Sequence, residues 1–371
     1  MTEPITRHQD SERRGRIMSP ADASPAHSAT GRVRPATWFA GGRRRPYDPA
    51  RRTLAPGSHA GLPHVFERVH GDPHRTGHWV SMLPGFPDGS YGWAQVDAQL
   101  HDIPSPRLYM EYLGQGDSDK PRNHAYSTIE RADLVEALWA AHDVTSTVAV
   151  SFDYSSLVVL ELLARRLDRR AAGDPEGTRI SGVLLVNGGL FADAHSHPWR
   201  TTPFMKTRLG DLAMAWNQNH PASFARVLRT SRMWSRGYRL SDEEIGDMYD
   251  VLARHDGVRF LHDGAGFVDE HKRNAARWDL ARLTAALGNE LTWDIAGSAL
   301  DPFEPRQIRA ARQRLDPTLV RIHDLPGGHL TTSEHPNLLA NLIRALPQPR
   351  LARPRIGSPP HPISTEGNQR S

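Results

Sequence analysis

The chain has 371 residues, 38% hydrophobic and 24% charged, enough for a large packed core and too long for a mini-protein. Its formal net charge of +4 sits in the ends: residues 1–60 carry 11 Arg against 5 acids and residues 348–371 carry 4 Arg against 1, so the stretch between is net acidic and nucleic acid is not expected as a partner. Without Cys there is no disulfide, thiolate nucleophile or Cys-ligated zinc, and no apolar run approaches the ~18 residues of a membrane span.

From residue 1 to about 60 the chain is Arg, Pro, Ser, Ala and Gly with no sustained period, as in Gly41-Gly42-Arg43-Arg44-Arg45-Pro46, and it reads as a disordered basic tail. Nothing there has the apolar stretch of a secretory signal, so a soluble, cytoplasmic protein is expected. Short β-rich runs follow at His78–Leu83, Arg107–Leu113, Thr147–Phe152, Ile180–Val186, Leu291–Ile295 and Leu319–Leu325. Helical patterns separate several of them, at Ser127–His142, Ser155–Arg170, Pro305–Arg314 and His335–Leu346. Alternation of this kind predicts an α/β fold with a mostly parallel, doubly wound sheet.

One interval breaks the rhythm. Between residues 193 and 288 only helical segments are legible, at Met205–Asn217, Ala222–Thr230, Ser241–Arg254 and Phe267–Leu287, and the interval is too long for one crossover. It is expected to be an inserted helical cap over the carboxyl edge of the sheet, dividing the core into residues 61–192 and 289–347. Residues 348–371, rich in Pro, read as a second disordered tail.

Three residues carry the chemistry. The third strand turns sharply into a helix through Ser151-Phe152-Asp153-Tyr154-Ser155, where small residues two before and two after the central one suit a strained elbow that presents Asp153. The plainer reading makes Asp153 an N-cap. Ser298-Ala299-Leu300-Asp301-Pro302 leaves Asp301 on the loop after a strand, and Pro326-Gly327-Gly328-His329 does the same for His329 after the last strand. Singly these are a turn cap and one of 20 histidines; in the chain order nucleophile, acid, histidine they form a catalytic set. The loop Leu83-Pro84-Gly85-Phe86-Pro87 offers the Phe86 N–H, which with the Tyr154 N–H would make an oxyanion hole.

The Gly85-Phe86-Pro87 loop followed by Tyr91 and Trp93, the segment Leu113-Gly114-Gln115-Gly116-Asp117-Ser118-Asp119-Lys120-Pro121, and Asp153-Tyr154 resemble the epoxide hydrolase and haloalkane dehalogenase branch of the α/β-hydrolases. Val186-Asn187-Gly188-Gly189-Leu190-Phe191 and Arg277-Trp278 are similar to the mesoderm-specific transcript hydrolases, and the resemblance spans about Val65 to Leu346. It implies the α/β-hydrolase fold, an Asp153 nucleophile forming an alkyl-enzyme ester, and His329, oriented by Asp301, activating water on a small hydrophobic substrate. A carboxylate suits that role because it is ionised at neutral pH without a base. No metal or cofactor is implied, and the oligomeric state stays open.

Departures from the family pattern are Pro84 in place of the usual His, Ser155 in place of Gly, and Phe152 in place of His. They motivate an alternative, a catalytically silent homologue that binds a small molecule or protein. Phe86 and Tyr154 stand where dehalogenases of the branch place halide donors, which favours an epoxide over a haloalkane or haloacid. For an epoxide, Tyr238 and Tyr249 in the cap are the candidate proton donors, with core packing as the plainer role of each.

Overall fold

The computed structural model describes residues 31–347 apart from residues 58, 75, 176 and 198–200. Among the described residues nine strands form one sheet in the order β2-β1-β3-β5-β4-β6-β7-β8-β9. They are β1 (Arg43–Asp48), β2 (Thr53–Leu54), β3 (His64–His70), β4 (His78–Leu83), β5 (Arg107–Met110), β6 (Ser146–Phe152), β7 (Arg179–Val186), β8 (Thr292–Gly297) and β9 (Val320–Asp324). The pairs β1–β2, β1–β3 and β3–β5 are antiparallel, and every pair from β5 through β9 is parallel. β4 lies between β5 and β6, so the chain leaves it toward opposite sides, and a crevice opens at its carboxyl end.

Central strands are apolar on both faces because helices cover both. In β6, Ala149 joins one apolar cluster while Val148, Val150 and Phe152 join the other. The first face is covered by α3 (Thr128–Ala141) and α4 (Ser155–Ala172), and the second by α1 (Pro35–Ala40), α2 (Ala94–Asp97) and the C-terminal helix Pro336–Arg344. Ser127 caps α3 by accepting from the Glu130 N–H, and α4 stops at Gly173, whose φ of 73° only glycine adopts freely.

The insertion is helical as expected: α5 (Thr202–Met205), α6 (Arg208–Gln218), α7 (Pro221–Thr230), α8 (Asp242–Ala253), α9 (Gly257–Asp263) and α10 (Phe267–Arg273). It has an apolar cluster of its own, including Met214, Phe224, Leu228 and Val258. The stretch expected as one helix to Leu287 is two. Asp279 starts a new one, α11 (Leu280–Leu287), by accepting from the Arg282 N–H, and Trp278, Leu280 and Leu283 are buried in the core cluster beside α4. α11, within the interval expected as cap up to residue 288, thus packs with the core cluster. After β8 come α12 (Gln307–Arg314), α13 (Thr331–Glu334) and α14 (Pro336–Arg344).

The expectation of a disordered tail to residue 60 is overturned for residues 34–54. Trp38 is 1% exposed, donates from Nε1 to Ser90 Oγ at 2.9 Å and packs edge-on to Tyr109. The arginines of β1 look like a solvated run until their partners are known. Arg43 and Arg45 both reach the buried Glu67, at 2.7 and 3.4 Å, and Arg44 reaches Asp119. Upstream, Arg32 and Arg34 pair with Asp247 of α8 at 3.1 and 2.8 Å, so this segment also straps the cap. Residues 1–30 and 348–371, expected as tails, lie outside the described residues, and among those described no helix is long and apolar enough to cross a membrane.

Replacing a fully buried aromatic with Ala typically costs about 3–5 kcal/mol. Trp38→Ala is expected to lower unfolding stability by that amount in a urea titration, and an unchanged midpoint would return the segment to a dispensable tail.

Candidate active site

β6 ends at Phe152 and α4 begins at Ser155, leaving two residues for the turn. Asp153 takes it up in the left-handed region, with φ 54°. Strain of this kind persists only where surroundings over-determine it. Here the Asp153 N–H donates to Val186 O at 2.9 Å, while its carbonyl accepts from Ser156 Oγ at 2.7 Å. The small neighbours are required: a Cβ on Gly188 would lie 1.7 Å from Ser156 Oγ, and one on Gly85 2.3 Å from the Phe152 ring.

Asp153 does not cap α4. The cap position belongs to Tyr154, with no side-chain cap bond. The Asp153 carboxylate instead turns toward the loop after β4, where Oδ2 accepts from the Phe86 N–H at 2.9 Å and the Tyr154 N–H faces the same group. Oδ1 lies 3.7 Å from His329 Nε2, and His329 Nδ1 lies 2.8 Å from Asp301 Oδ2. Asp301 is fixed by accepting at Oδ1 from the Phe303 and Glu304 N–H groups, at 2.8 and 3.2 Å. All three side chains are buried, so the loops after β4, β6, β8 and β9 close on one point. Of the residues singled out in the sequence, Asp153, Asp301, His329, Phe86 and Tyr154 thus come together.

Charges in this pocket determine one another. Burial alone would push the His329 imidazolium down, but the carboxylates of Asp301, Asp153 and Asp88 outweigh it and raise its pKa to about 9. Burial raises the Asp153 carboxyl above its ordinary range, against the pull of His329 and the two backbone N–H groups. Asp88, which the sequence did not flag, sits two residues past Phe86, and burial with help from Asp153 lifts it to about 6.

Two of the three departures, Ser155 at the elbow and Pro84 on the loop after β4, are complementary. Ser155 Oγ donates to the carbonyl of Pro84 and lies 3.1 Å from the Tyr112 hydroxyl, so the side chain in place of glycine anchors the loop that lacks a histidine. Gln115 Nε2 holds the next carbonyl, Gly85 O, at 2.8 Å, and Trp93 Nε1 holds Leu83 O at 3.0 Å. Phe152 packs its ring 5.3 Å from that of His329. Asn187 was visible only as part of a resemblance, yet it binds three loops. Its Nδ2 donates to His329 O at 2.7 Å, its Oδ1 accepts from the Ser298 N–H at 2.9 Å, and it directly follows Val186, the last residue of β7.

No hydrogen bond among the described residues joins the Tyr238 or Tyr249 hydroxyl to this cluster. The Tyr238 hydroxyl donates to Glu244 Oε1 and the Tyr249 hydroxyl to Gln218 O, each at 2.7 Å, so both are committed to bonds within the cap. What the cap does place over the site is aromatic: Phe260 and Phe267 lie 5.9 and 5.5 Å from the Phe86 ring, and Phe267 lies 5.3 Å from Tyr154. The Tyr154 hydroxyl is buried without a hydrogen-bond partner among the described residues. Cap backbone also reaches the histidine loop directly, with the His329 N–H donating to Met233 O at 2.8 Å.

No family model matches the chain. It is similar to the hydrolase LipZ of Mycobacterium tuberculosis, 30% identical over 268 residues covering 71% of this chain and 86% of the relative. It is also similar to the mesoderm-specific transcript protein of Mus musculus, 26% identical over 274 residues covering 69% of this chain and 75% of the relative. Two solved structures share the fold: haloalkane dehalogenase DbeA from Bradyrhizobium elkani (TM-score 0.56, 19% identity, 77% of this chain and 94% of that one) and epoxide hydrolase CorEH (TM-score 0.56, 18% identity, 76% and 93%). Sheet order, elbow and curated relatives agree, and the chain belongs to the α/β-hydrolase family.

Proposed function

We propose that this chain is an epoxide-hydrolase-like enzyme in which Asp153 is the nucleophile, His329 the base and Asp301 the residue that orients it. The observation that carries this reading is the division of labour on one carboxylate: Oδ2 is held by backbone N–H while Oδ1 is left toward His329 Nε2 at 3.7 Å. A held oxygen and a free one suit a nucleophile that becomes an ester and is then hydrolysed.

Oδ1 attacks a carbon of the strained ring, the C–O bond breaks, and the alkoxide takes a proton. With Tyr238 and Tyr249 engaged within the cap, the proton donor in this reading is the His329 imidazolium, whose pKa of about 9 keeps it charged at neutral pH. Giving up that proton leaves a neutral imidazole. Esterification also removes the Asp153 charge that helped hold the proton, so the base is switched on by the first half-reaction.

Neutral His329 then takes a proton from water, and the hydroxide adds to the Asp153 carboxyl carbon. Negative charge develops on Oδ2, to which the Phe86 N–H already donates, with the Tyr154 N–H facing the same carboxylate. Collapse expels the product alkoxide, which is protonated by His329, and the regenerated carboxylic acid returns its own proton to the imidazole. The ring of Phe86, Tyr154, Phe260 and Phe267 favours a small apolar substrate. Against a silent binding module speaks the bond from Ser155 Oγ to Pro84 O, which supports the loop that carries the Phe86 N–H.

The resting ion pair predicts that His329 titrates near pH 9 by NMR and that Asp301→Asn moves the midpoint downward, since a carboxylate that favours the charged form is removed. A wild-type midpoint near the ordinary 6.5 would show that the pair does not form. In a single turnover in heavy-oxygen water, label is expected in the Asp153 peptide rather than in the first product, and His329→Gln is expected to accumulate the alkyl-enzyme as an added substrate mass on that peptide. Label in the first product with no adduct would instead mean that Asp153 acts as a general base on water.

A further inference from the structure

A second cluster of histidines and acid lies one ring away from His329. His195 and His197 follow β7 on the segment that leads into the cap, and Glu304 lies three residues beyond Asp301. The two loops are pinned by the Ser196 N–H donating to Phe303 O at 3.2 Å. Phe303 connects the clusters, with His197 stacked at 5.7 Å on one side and His329 edge-on at 4.8 Å on the other.

The two imidazoles converge on a single oxygen. His195 Nδ1 lies 2.6 Å and His197 Nε2 3.2 Å from Glu304 Oε1, and one ligand atom from each residue falls within 4.8 Å of the others. The side chains are only 4%, 7% and 4% exposed, unlike a chance surface grouping. Each has its remaining polar atom held from behind. His195 Nε2 meets His271 Nδ1 at 2.7 Å, His197 Nδ1 meets Thr202 Oγ1 at 2.8 Å, and Gln307 Nε2 donates to Glu304 Oε2 at 2.7 Å. Outer partners of this kind fix the tautomer and direction of metal-binding imidazoles and carboxylates. Without an ion the inner nitrogens serve as donors to Glu304 Oε1; with Nε2–H of His195 donating to His271 and Nδ1–H of His197 donating to Thr202 instead, both would turn lone pairs to a cation.

We infer that His195, His197 and Glu304 form a site for one divalent transition-metal ion of the Zn²⁺ class. Two imidazoles and one carboxylate make up a zinc ligand set that leaves a fourth position open. That position has somewhere to open: His195 and His197 line a cavity of about 480 Å³ shared with Thr202, Lys206, Lys272 and Arg306. Lys206 is paired with Asp269, which lines the same cavity, whereas Lys272 and Arg306 suit an oxygen ligand with negative charge, such as a carboxylate, completing the metal's coordination. The ion would join the segment that enters the cap to the loop that carries Asp301. This inference does not depend on the chemistry proposed for Asp153.

The test uses the full chain stripped with a chelator and dialysed. Titration with Co²⁺ is expected to give one equivalent bound with the visible absorption of a four- or five-coordinate ion, displaced by one equivalent of Zn²⁺. Zn²⁺ is expected to raise the Tm of the wild-type chain. His197→Ala should abolish both signals, and Gln307→Leu, which leaves all three ligands in place, should weaken Zn²⁺ binding by about 10–100-fold. Circular dichroism of each variant distinguishes lost binding from lost folding, and the Gln307 variant with the wild-type spectrum decides the matter if His197→Ala does not fold. No stoichiometric uptake by the wild-type chain, a six-coordinate spectrum, or uptake unchanged in folded His197→Ala and Gln307→Leu would overturn the site.

Discussion

The molecule is organised around one buried carboxylate in a backbone conformation that aspartate rarely adopts. Asp153 is 6% exposed at φ 54°, and burying its charge is tolerable only because two backbone N–H groups and the His329 imidazolium face it. Those partners come from loops far apart in sequence, so they meet only if β4, β6, β8 and β9 end at the same level of a parallel sheet. Much of the local structure maintains that coincidence. Ser155 ties the elbow to the loop after β4, and Asn187 ties the loops after β8 and β9 to the end of β7.

The cap is bound to this arrangement rather than resting on it. Met233 accepts from the backbone of His329, Ser235 donates to Glu334 at 3.0 Å, and Phe86 packs against both the core and cap clusters. From the opposite side Arg32 and Arg34 hold Asp247, whose other oxygen contacts include the Tyr91 hydroxyl at 3.1 Å. A cap secured at several points encloses its site in low dielectric, which strengthens each charge interaction within it. Among those ties, the ion pairs of the partly exposed arginines are the weaker.

Two His–carboxylate groups have therefore been placed on neighbouring loops with different geometry. In one, each imidazole nitrogen of His329 faces a different carboxylate, which suits proton transfer. In the other, two imidazoles share one carboxylate oxygen, each backed by an outer partner, which suits holding an ion. Phe303 keeps them apart sterically while its own loop carries Asp301 and Glu304 on either side of it.

Local sequence determined the elements whose signals lie within a few residues. The β4 strand, the α3 and α4 helices, and the elbow at Ser151–Ser155 are written in short apolar runs, a Ser cap and small flanking residues, and the order Asp153, Asp301, His329 follows from strand ends alone. Only the tertiary structure decided where partners lie far along the chain. The arginines of β1 become a strand because Glu67 and Asp119 neutralise them, and the hydroxyls of Tyr238 and Tyr249 are taken up by Glu244 and the Gln218 carbonyl. His195 and His197 show only a spacing of two, and the Glu304 that gives the spacing meaning comes 107 residues after His197. Charge compensation and ligand geometry act through space, whereas periodicity and capping act along the chain, and a single sequence displays only the second directly.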